Sequence, residues 1–174
     1  MINTYMENIL IEKSTIHYLK ANTNLLFDTP RDQKSRQVLV DNLTYIPYVE
    51  DKKLLVTANT RTKLNKYKTS IMFDRVTYVE QDNRWKVEIK TRNDVFYIYS
   101  IKRNRWPVSV SCTCLDFYYM FSVWNQKDDS LFGDPPEPYI KKTDRPLRNP
   151  TREPGVCKHI LRLSDELIGA GVLK

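Results

Sequence analysis

Four residues of the chain have the types and the spacing of a metal site. Cys112 and Cys114 are separated by one residue, and so are Cys157 and His159; together they include all three cysteines and one of the two histidines. Zinc in tetrahedral sites takes thiolate sulfurs and imidazole nitrogens, and four protein ligands leave no position for a water nucleophile. The pattern therefore predicts one structural Zn²⁺ per chain, bound by these four side chains.

Other interpretations of these residues stay open from the sequence. The cysteines could be ordinary buried residues, with His159 capping a helix. A disulfide between Cys112 and Cys114 would close a very tight ring and leave Cys157 unpaired. The odd number of cysteines argues against a disulfide framework and for a reducing compartment. Iron is a further alternative to zinc. The other histidine, His17, has no cysteine or acidic cluster nearby and is expected to be an ordinary histidine without a metal.

The metal would have to join two segments that lie far apart in the sequence. Residues 115–156 separate the two ligand pairs, and closing a loop of this length without a cross-link is costly in chain entropy. We therefore expect metal binding to be part of folding. Six of the nine prolines lie in residues 126–156. Because proline fixes φ and lacks an amide donor, we interpret this stretch as a long, basic, semi-rigid loop.

The segment before the first ligand pair has a β pattern. Between Lys52 and Cys114, short runs rich in β-branched and aromatic residues alternate with connections that contain Asn and Asp. Because connections this short join antiparallel strands, the pattern predicts an antiparallel β-meander. The predicted strands are residues 54–60, 67–73, 76–80, 85–90, 95–101 and 108–114.

Helices are expected next to both ligand pairs, which makes the predicted fold class α+β. Residues 157–168 are predicted to form a C-terminal helix with Ile160, Leu163 and Leu167 on one apolar face and with Gly169 as the C′ residue that follows it. Residues 115–124 are interpreted as a helical or irregular aromatic segment. Four of its side chains fall at helical spacing and are expected to pack in the core beside the metal: Phe117, Met120, Phe121 and Trp124.

The domain organisation is predicted to change near residue 50. Residues 1–50 are expected to form an N-terminal arm or extension, with a short amphipathic helix around residues 9–19 and an extended stretch at 21–41. The alternative is that a first strand pair of the same domain lies here. Residues 51–174 are expected to form a β-rich zinc domain that includes the proline-rich loop. The sequence does not decide whether the first 50 residues fold independently.

The C-x-C…C-x-H order of the ligands resembles the SWIM-type zinc finger, a small ββα module found in proteins that associate with nucleic acids or with other proteins. The resemblance covers about residues 85–168, and it extends to Asp116 and Phe117 and to the stretch from Lys158 to Leu161. It implies zinc at all four ligands and a ββα arrangement around them. The spacer is longer and richer in proline than in most SWIM fingers. Its sequence is similar to small SWIM-like proteins of tailed bacteriophages.

Composition restricts the possible functions less than the pattern of metal ligands does. The net charge is +7, the pI is about 9.2 and 41% of the residues are hydrophobic. These values favour a globular domain with an acidic partner. No apolar run approaches the length of a membrane span, and the N-terminus lacks the features of a secretory signal. We therefore expect an intracellular protein, and the resemblance to phage proteins implies a location in the host cytoplasm and in the virion.

Two functions are compatible with these features. The first is a structural component of a bacteriophage virion, in the capsid or the head–tail region, whose arm and loop contact neighbouring subunits. The alternative is a nucleic-acid-binding zinc-finger module that contacts phosphates through basic side chains, namely Lys141, Lys142, Arg145, Arg148, Arg152 and Lys158.

Neither an enzyme nor a small-molecule substrate is expected. The sequence contains no nucleophile elbow, no phosphate-binding glycine loop and no paired-carboxylate motif. The protein partner, the choice between DNA and RNA, and the copy number in any assembly cannot be read from the residues.

Overall fold

A computed structural model of the protein describes residues 13–27, 31–137 and 143–174. The fold is mixed α+β with antiparallel sheets and a C-terminal helix, as the sequence predicts. The strands are β1 (Leu39–Tyr48), β2 (Lys53–Arg61), β3 (Lys66–Phe73), β4 (Lys86–Lys90), β5 (Val95–Tyr99) and β6 (Val108–Cys112). The helices are α1 (Ile16–Leu25), α2 (Arg31–Ser35), α3 (Leu115–Phe117), α4 (Val123–Lys127) and α5 (Lys158–Gly169), and the stretch Tyr118–Ser122 between α3 and α4 is π-helical.

The strands form two sheets and not the single meander that the sequence predicts. Strands β1, β2, β3 and β6 form a four-stranded antiparallel sheet in that order, whereas β4 and β5 pair only with each other. β6 therefore returns to β3, where Thr69 lies opposite Cys112 and Phe73 lies opposite Val108. The prediction of a single meander was wrong. Short connections show which consecutive strands form hairpins, but they do not show that one hairpin, here β4–β5, lies outside the main sheet.

Residues 76–80, predicted as a strand, form a connection with isolated contacts. The Val76 amide donates to the Lys52 carbonyl at 2.7 Å, and the Val79 amide donates to the Tyr97 carbonyl at 2.9 Å. Tyr78 forms a single antiparallel bridge with Ile98. The stretch thus links the small β4–β5 hairpin to the main sheet without a ladder of its own.

The predicted boundary at residue 50 lies in the turn between β1 and β2, which pair along their length from Leu39–Arg61 to Tyr48–Lys53. Strand β1, which lies within residues 1–50, is therefore part of the main sheet. The stretch 21–41, expected to be extended, instead contains the end of α1, all of α2 and the start of β1. Residues 1–12, which include the start of the predicted first helix, lie outside the described residues, and the end of that predicted helix lies in α1.

The core lies between the main sheet and α5. Apolar side chains from β2, β3, β6 and α5 are fully buried, among them Leu54, Ile71, Val110, Ile160, Leu163 and Leu167. This confirms the apolar face predicted for the C-terminal helix. In the aromatic segment, Phe117, Met120 and Phe121 are buried in the same cluster, as expected, whereas Trp124 is only half-buried.

The C-terminal helix ends one residue later than predicted, and its C′ residue is Gly171 instead of Gly169. Gly169 is the last helical residue, and Gly171, with φ +72°, is the residue in the left-handed conformation. The Gly171 amide donates to the Ile168 carbonyl at 3.0 Å, and the Val172 amide donates to the Leu167 carbonyl at 3.0 Å. These two bonds form the Schellman motif, for which glycine is favoured because it has no Cβ.

Parts of residues 126–156 pack against the domain. The segment from Ser130 to Phe132 runs beside β6, where the Val110 amide donates to the Ser130 carbonyl at 2.8 Å and the Phe132 amide donates to the Val110 carbonyl at 3.0 Å. Asn149 and residues 154–156 are buried. Residues 138–142 lie outside the described part of the chain. Within the described residues, no helix has the length and apolar character needed to span a membrane.

Candidate metal centre

The four predicted ligands lie at or next to the ends of three elements, β6, α3 and α5, whose ends are close together. Cys112 is the last residue of β6, and Cys114, in extended conformation, is the N-cap of α3. Cys157 is the N-cap of α5, and His159 lies in the first turn of that helix. On a flat strand these two cysteines would share one face but lie too far apart to reach one ion. Because the backbone turns from strand to helix between Cys112 and α3, their side chains can approach each other.

The ligand atoms of these residues converge. One donor atom from each of the four side chains lies within 4.8 Å of all the others, and all four residues are buried. Zn–S distances near 2.3 Å and Zn–N distances near 2.0–2.1 Å correspond to tetrahedral edges of about 3.8 Å between sulfurs and about 3.6 Å between sulfur and nitrogen. The Cys157 Sγ and His159 Nδ1 atoms are 3.8 Å apart. The cluster therefore has the donors and nearly the dimensions needed to hold one metal ion.

The three cysteines are free thiols, so the disulfide considered from the sequence is not formed. The hydrogen bonds among them separate their pKa values. The Cys112 thiol donates toward Cys114, which raises the pKa of Cys112 to about 12 and lowers the pKa of Cys114 far below its ordinary value. Burial raises the pKa of Cys157 well above its ordinary value. Without a metal, the three thiols thus have pKa values shifted in opposite directions.

A bound divalent cation would change that balance, because it stabilises all three thiolates at once. Either ring nitrogen of His159 could be the donor to an ion: Nδ1 lies 3.8 Å from Cys157 Sγ, and Nε2 is buried with no hydrogen-bond partner among the described residues. A buried polar atom without a partner is costly and calls for an explanation such as an ion. The fit of the four side chains to a metal therefore rests on the donor set, the spacing and the burial together.

Neighbouring side chains hold the ligands in place. The Phe117 amide donates to Cys114 Sγ at 3.4 Å, and the hydroxyl of Thr69 lies 3.6 Å from Cys112 Sγ. The ring of Tyr67 packs on His159 with ring centroids 4.6 Å apart. Thr69 and Tyr67 both lie on β3, so the sheet positions ligands from each of the two pairs. Such contacts orient metal ligands and exclude water from them.

The segment that precedes Cys157 is fixed from two sides. The Asn22 side-chain amide, on α1, donates to the Pro154 carbonyl at 3.0 Å. On the other side, Asn125 donates to the Gly155 carbonyl at 3.1 Å and accepts from the Gly155 amide at 2.9 Å. The sequence analysis missed these positioning residues. No local pattern indicates them, since their partners lie far away in the chain.

The basic residues predicted to contact nucleic acid are only partly brought together. Arg145 and Arg148 are exposed and line the same groove, and Arg152 is exposed nearby, over the ring of Trp124. Lys158 is half-buried between the two ligands of the second pair. The other two predicted residues, Lys141 and Lys142, lie outside the described part of the chain.

The net charge of the loop does not support its description as basic. Counted in full, residues 126–156 contain six basic and six acidic residues. The acidic residues are Asp128, Asp129, Asp134, Glu137, Asp144 and Glu153. Any preference of this region for anions must therefore come from the local placement of the arginines.

Comparison with known proteins adds no relative: no protein-family model, curated protein or solved structure matches the chain. The residues and their geometry therefore carry the functional argument. They define a protein with a mixed α+β fold and a buried Cys₃His cluster able to bind a metal ion.

Proposed function

We propose that the Cys₃His cluster binds one structural Zn²⁺. The observation that carries the proposal is that Cys112, Cys114, Cys157 and His159 are all buried, with donor atoms within 4.8 Å of one another. Four protein ligands fill a tetrahedral shell and leave no coordination position for a substrate or a reactive water. The ion would hold the end of β6 and the start of α5 together across the intervening loop, and it would take no part in a reaction.

We further propose that the module is related to the SWIM-type zinc finger. The order and spacing of the ligands support this assignment, as does the placement of the second pair at the start of a helix. The support is confined to these features, because β6 pairs with β3 in a four-stranded sheet and the hairpin β4–β5 lies apart from it. A compact ββα finger surface is not required by the proposal.

The protein is proposed to be a non-enzymatic interaction protein, and specifically a structural component of a tailed-bacteriophage particle. The likeness of its spacer to small phage SWIM-like proteins and the net charge of +7 support this role. In that role the zinc-stabilised unit would contact neighbouring subunits of the capsid or head–tail region. Recovery of the chain from purified particles, at a fixed copy number, tests the proposal; its absence from particles that assemble normally would contradict it.

Nucleic-acid binding is the second candidate function, and one observation favours it. Of the six basic residues proposed to contact phosphates, three lie along one face of the described structure: Arg145, Arg148 and Arg152. Binding that depends on phosphate contacts weakens steeply as salt displaces the protein from the charged backbone. Affinity for nucleic acid that falls steeply with salt would support this function, and no binding at low salt would contradict it.

The metal proposal is tested by elemental analysis of the purified protein. We expect about one zinc per chain, and a lower melting temperature after treatment with a chelator that is restored when Zn²⁺ is added back. If the analysis finds iron in place of zinc, the proposed identity of the ion is wrong but the proposed metal site stands. A metal-free protein whose melting temperature does not respond to added Zn²⁺ would contradict the structural site altogether.

A further inference from the structure

A groove of about 380 Å³ lies along the helical segment that follows Cys114. The aromatic segment and α4 form one wall through Tyr119 and Trp124, and residues 143 and 145–149 form the other. Asn149 joins the two walls, because its side-chain amide donates to the Met120 carbonyl at 2.8 Å. The same amide donates to the Glu153 carbonyl at 2.8 Å. The groove is therefore shaped by fixed backbone on both sides.

Two aromatic rings are accessible in this groove. Tyr119 is 40% exposed, and Trp124 is half-buried. The sequence analysis placed Trp124 among core residues, and its exposed part is a difference between expectation and structure. Aromatic side chains that stay accessible in a groove offer faces on which flat ligands can stack.

Basic side chains surround both rings. The guanidinium carbon of Arg148 lies 6.0 Å from the ring centroid of Tyr119, and that of Arg152 lies 6.0 Å from the ring centroid of Trp124. Lys127 Nζ lies 4.5 Å from the Trp124 centroid. Arg145 adds a further exposed cation to the opposite wall. Arg148 also contacts Asp116 at 3.4 Å, but both side chains are solvent-accessible and such pairs are weak.

We infer that this groove binds single-stranded nucleic acid, with bases stacked on Tyr119 and Trp124 and phosphates bound by the surrounding cations; the inference rests on the nucleic-acid-binding function proposed above. The alternation of aromatic faces and positive charge favours this ligand, because single strands expose both bases and phosphates. A duplex keeps its bases stacked inside and would use only the cations. An acidic peptide would also use the cations and leave the rings without a flat partner.

The first measurement compares ligands on the unmodified, zinc-loaded protein by fluorescence anisotropy. The probe is a short fluorescein-labelled oligothymidylate, and the comparisons are an abasic strand of equal length, a duplex of the same length and polyglutamate. We expect the abasic strand to bind about tenfold more weakly than oligothymidylate, since each stacked base contributes roughly that factor or more. This comparison needs no variant and is independent of folding effects.

Variants then locate the site. Tyr119→Leu removes the stacking face but keeps an apolar side chain, and Arg145→Gln removes an exposed charge from the groove. The matched controls lie outside the groove, immediately before β4, where Arg84 lies 5.0 Å over the ring of Trp85, which is 70% exposed. We expect each groove variant to weaken oligothymidylate binding, Tyr119→Leu by about tenfold, and we expect Trp85→Leu and Arg84→Gln to leave it unchanged.

The outcomes separate this inference from the function on which it rests. Equal affinity for abasic and normal strands, or equal losses of affinity in groove and control variants, would overturn the inference that bases stack in this groove. Nucleic-acid binding by the protein would still stand. Polyglutamate that binds as tightly as the oligonucleotide would overturn the inference in favour of an acidic protein partner. No binding to oligonucleotide or duplex at low salt would overturn both.

Discussion

The hydroxyl of Thr23, on α1, lies between the two backbone polar atoms of Val156, the residue before the ligand Cys157. The Val156 amide donates to Thr23 Oγ1 at 2.8 Å, and the same oxygen lies 3.1 Å from the Val156 carbonyl and 2.9 Å from the Leu19 carbonyl, either of which can accept its proton. Thr23 is fully buried. An N-terminal helix thereby fixes the backbone that presents the second ligand pair.

Replacing Thr23 with Val tests this relationship. The change keeps the shape but leaves the buried Val156 amide without its acceptor, which costs about 1–3 kcal/mol of unfolding free energy. We also expect the protein to lose zinc at a lower chelator concentration, because the segment before Cys157 is held less firmly. Urea unfolding and chelator titration measure the two effects.

Thr44→Val, on the exposed face of β1, is the matched control. It should change the free energy of unfolding by less than about 0.5 kcal/mol and leave the chelator concentration at which zinc is lost unchanged. If Thr23→Val is as stable as this control, the contact with Val156 does not contribute to the site.

Two glycines allow a paired test of the packing around the same segment. A Cβ at Gly155 would lie 2.5 Å from Phe121 Cε1 and 2.8 Å from Thr23 Oγ1, whereas a Cβ at Gly169 meets nothing within 4 Å. We expect Gly155→Ala to destabilise the fold by about 1–3 kcal/mol through overpacking. Gly169→Ala, at the end of α5, should be neutral or stabilising by up to about 1 kcal/mol. Thermal melting of the two variants measures the contrast, and equal effects would show that the segment before Cys157 is loosely packed.

The Cys157→Ser variant tests whether the ion links the sheet to the C-terminal helix. Loss of one thiolate weakens zinc binding, and because binding is coupled to folding, we expect the melting temperature to fall by about 10 °C or more. Lys158→Ala changes the residue between the two ligands and should leave zinc content at one per chain. Elemental analysis and melting measure both variants. A Cys157→Ser variant that melts like the parent protein would rule out the structural role of the metal.

The convergence of the Cys₃His cluster could be predicted from the sequence, because few residue types bind zinc and all three cysteines fall in one spacing pattern. Five of the six predicted strands, including Lys66–Phe73 and Val108–Cys112, are also present, because runs of β-branched and aromatic residues between turn residues leave a local signal. The pairing of β6 with β3 across the inserted hairpin was not predictable in the same way, since it depends on contacts distant in sequence.

The N-terminal region was misjudged for a related physical reason. Asn22 and Thr23 are polar residues within a helix, and in a sequence they suggest an exposed or irregular stretch. In the structure both are buried, because their hydrogen bonds are made to Pro154 and Val156. A polar residue that is buried and hydrogen-bonded to a distant part of the backbone cannot be distinguished by sequence from a polar residue exposed to solvent.

Tyr78 gives the fold a dependence on alkaline pH. Its hydroxyl donates to the Lys53 carbonyl at 2.6 Å, and burial raises the pKa of Tyr78 to about 12, above the ordinary value of 10.0. The folded state thus holds the phenol proton more tightly than the unfolded state does. The stabilisation is therefore complete below about pH 10 and is lost as the pH rises toward 12. In urea unfolding, the free-energy difference between the parent protein and Tyr78→Phe should be constant up to about pH 10 and shrink above it, whereas a difference that stays constant to pH 12 would contradict this assignment.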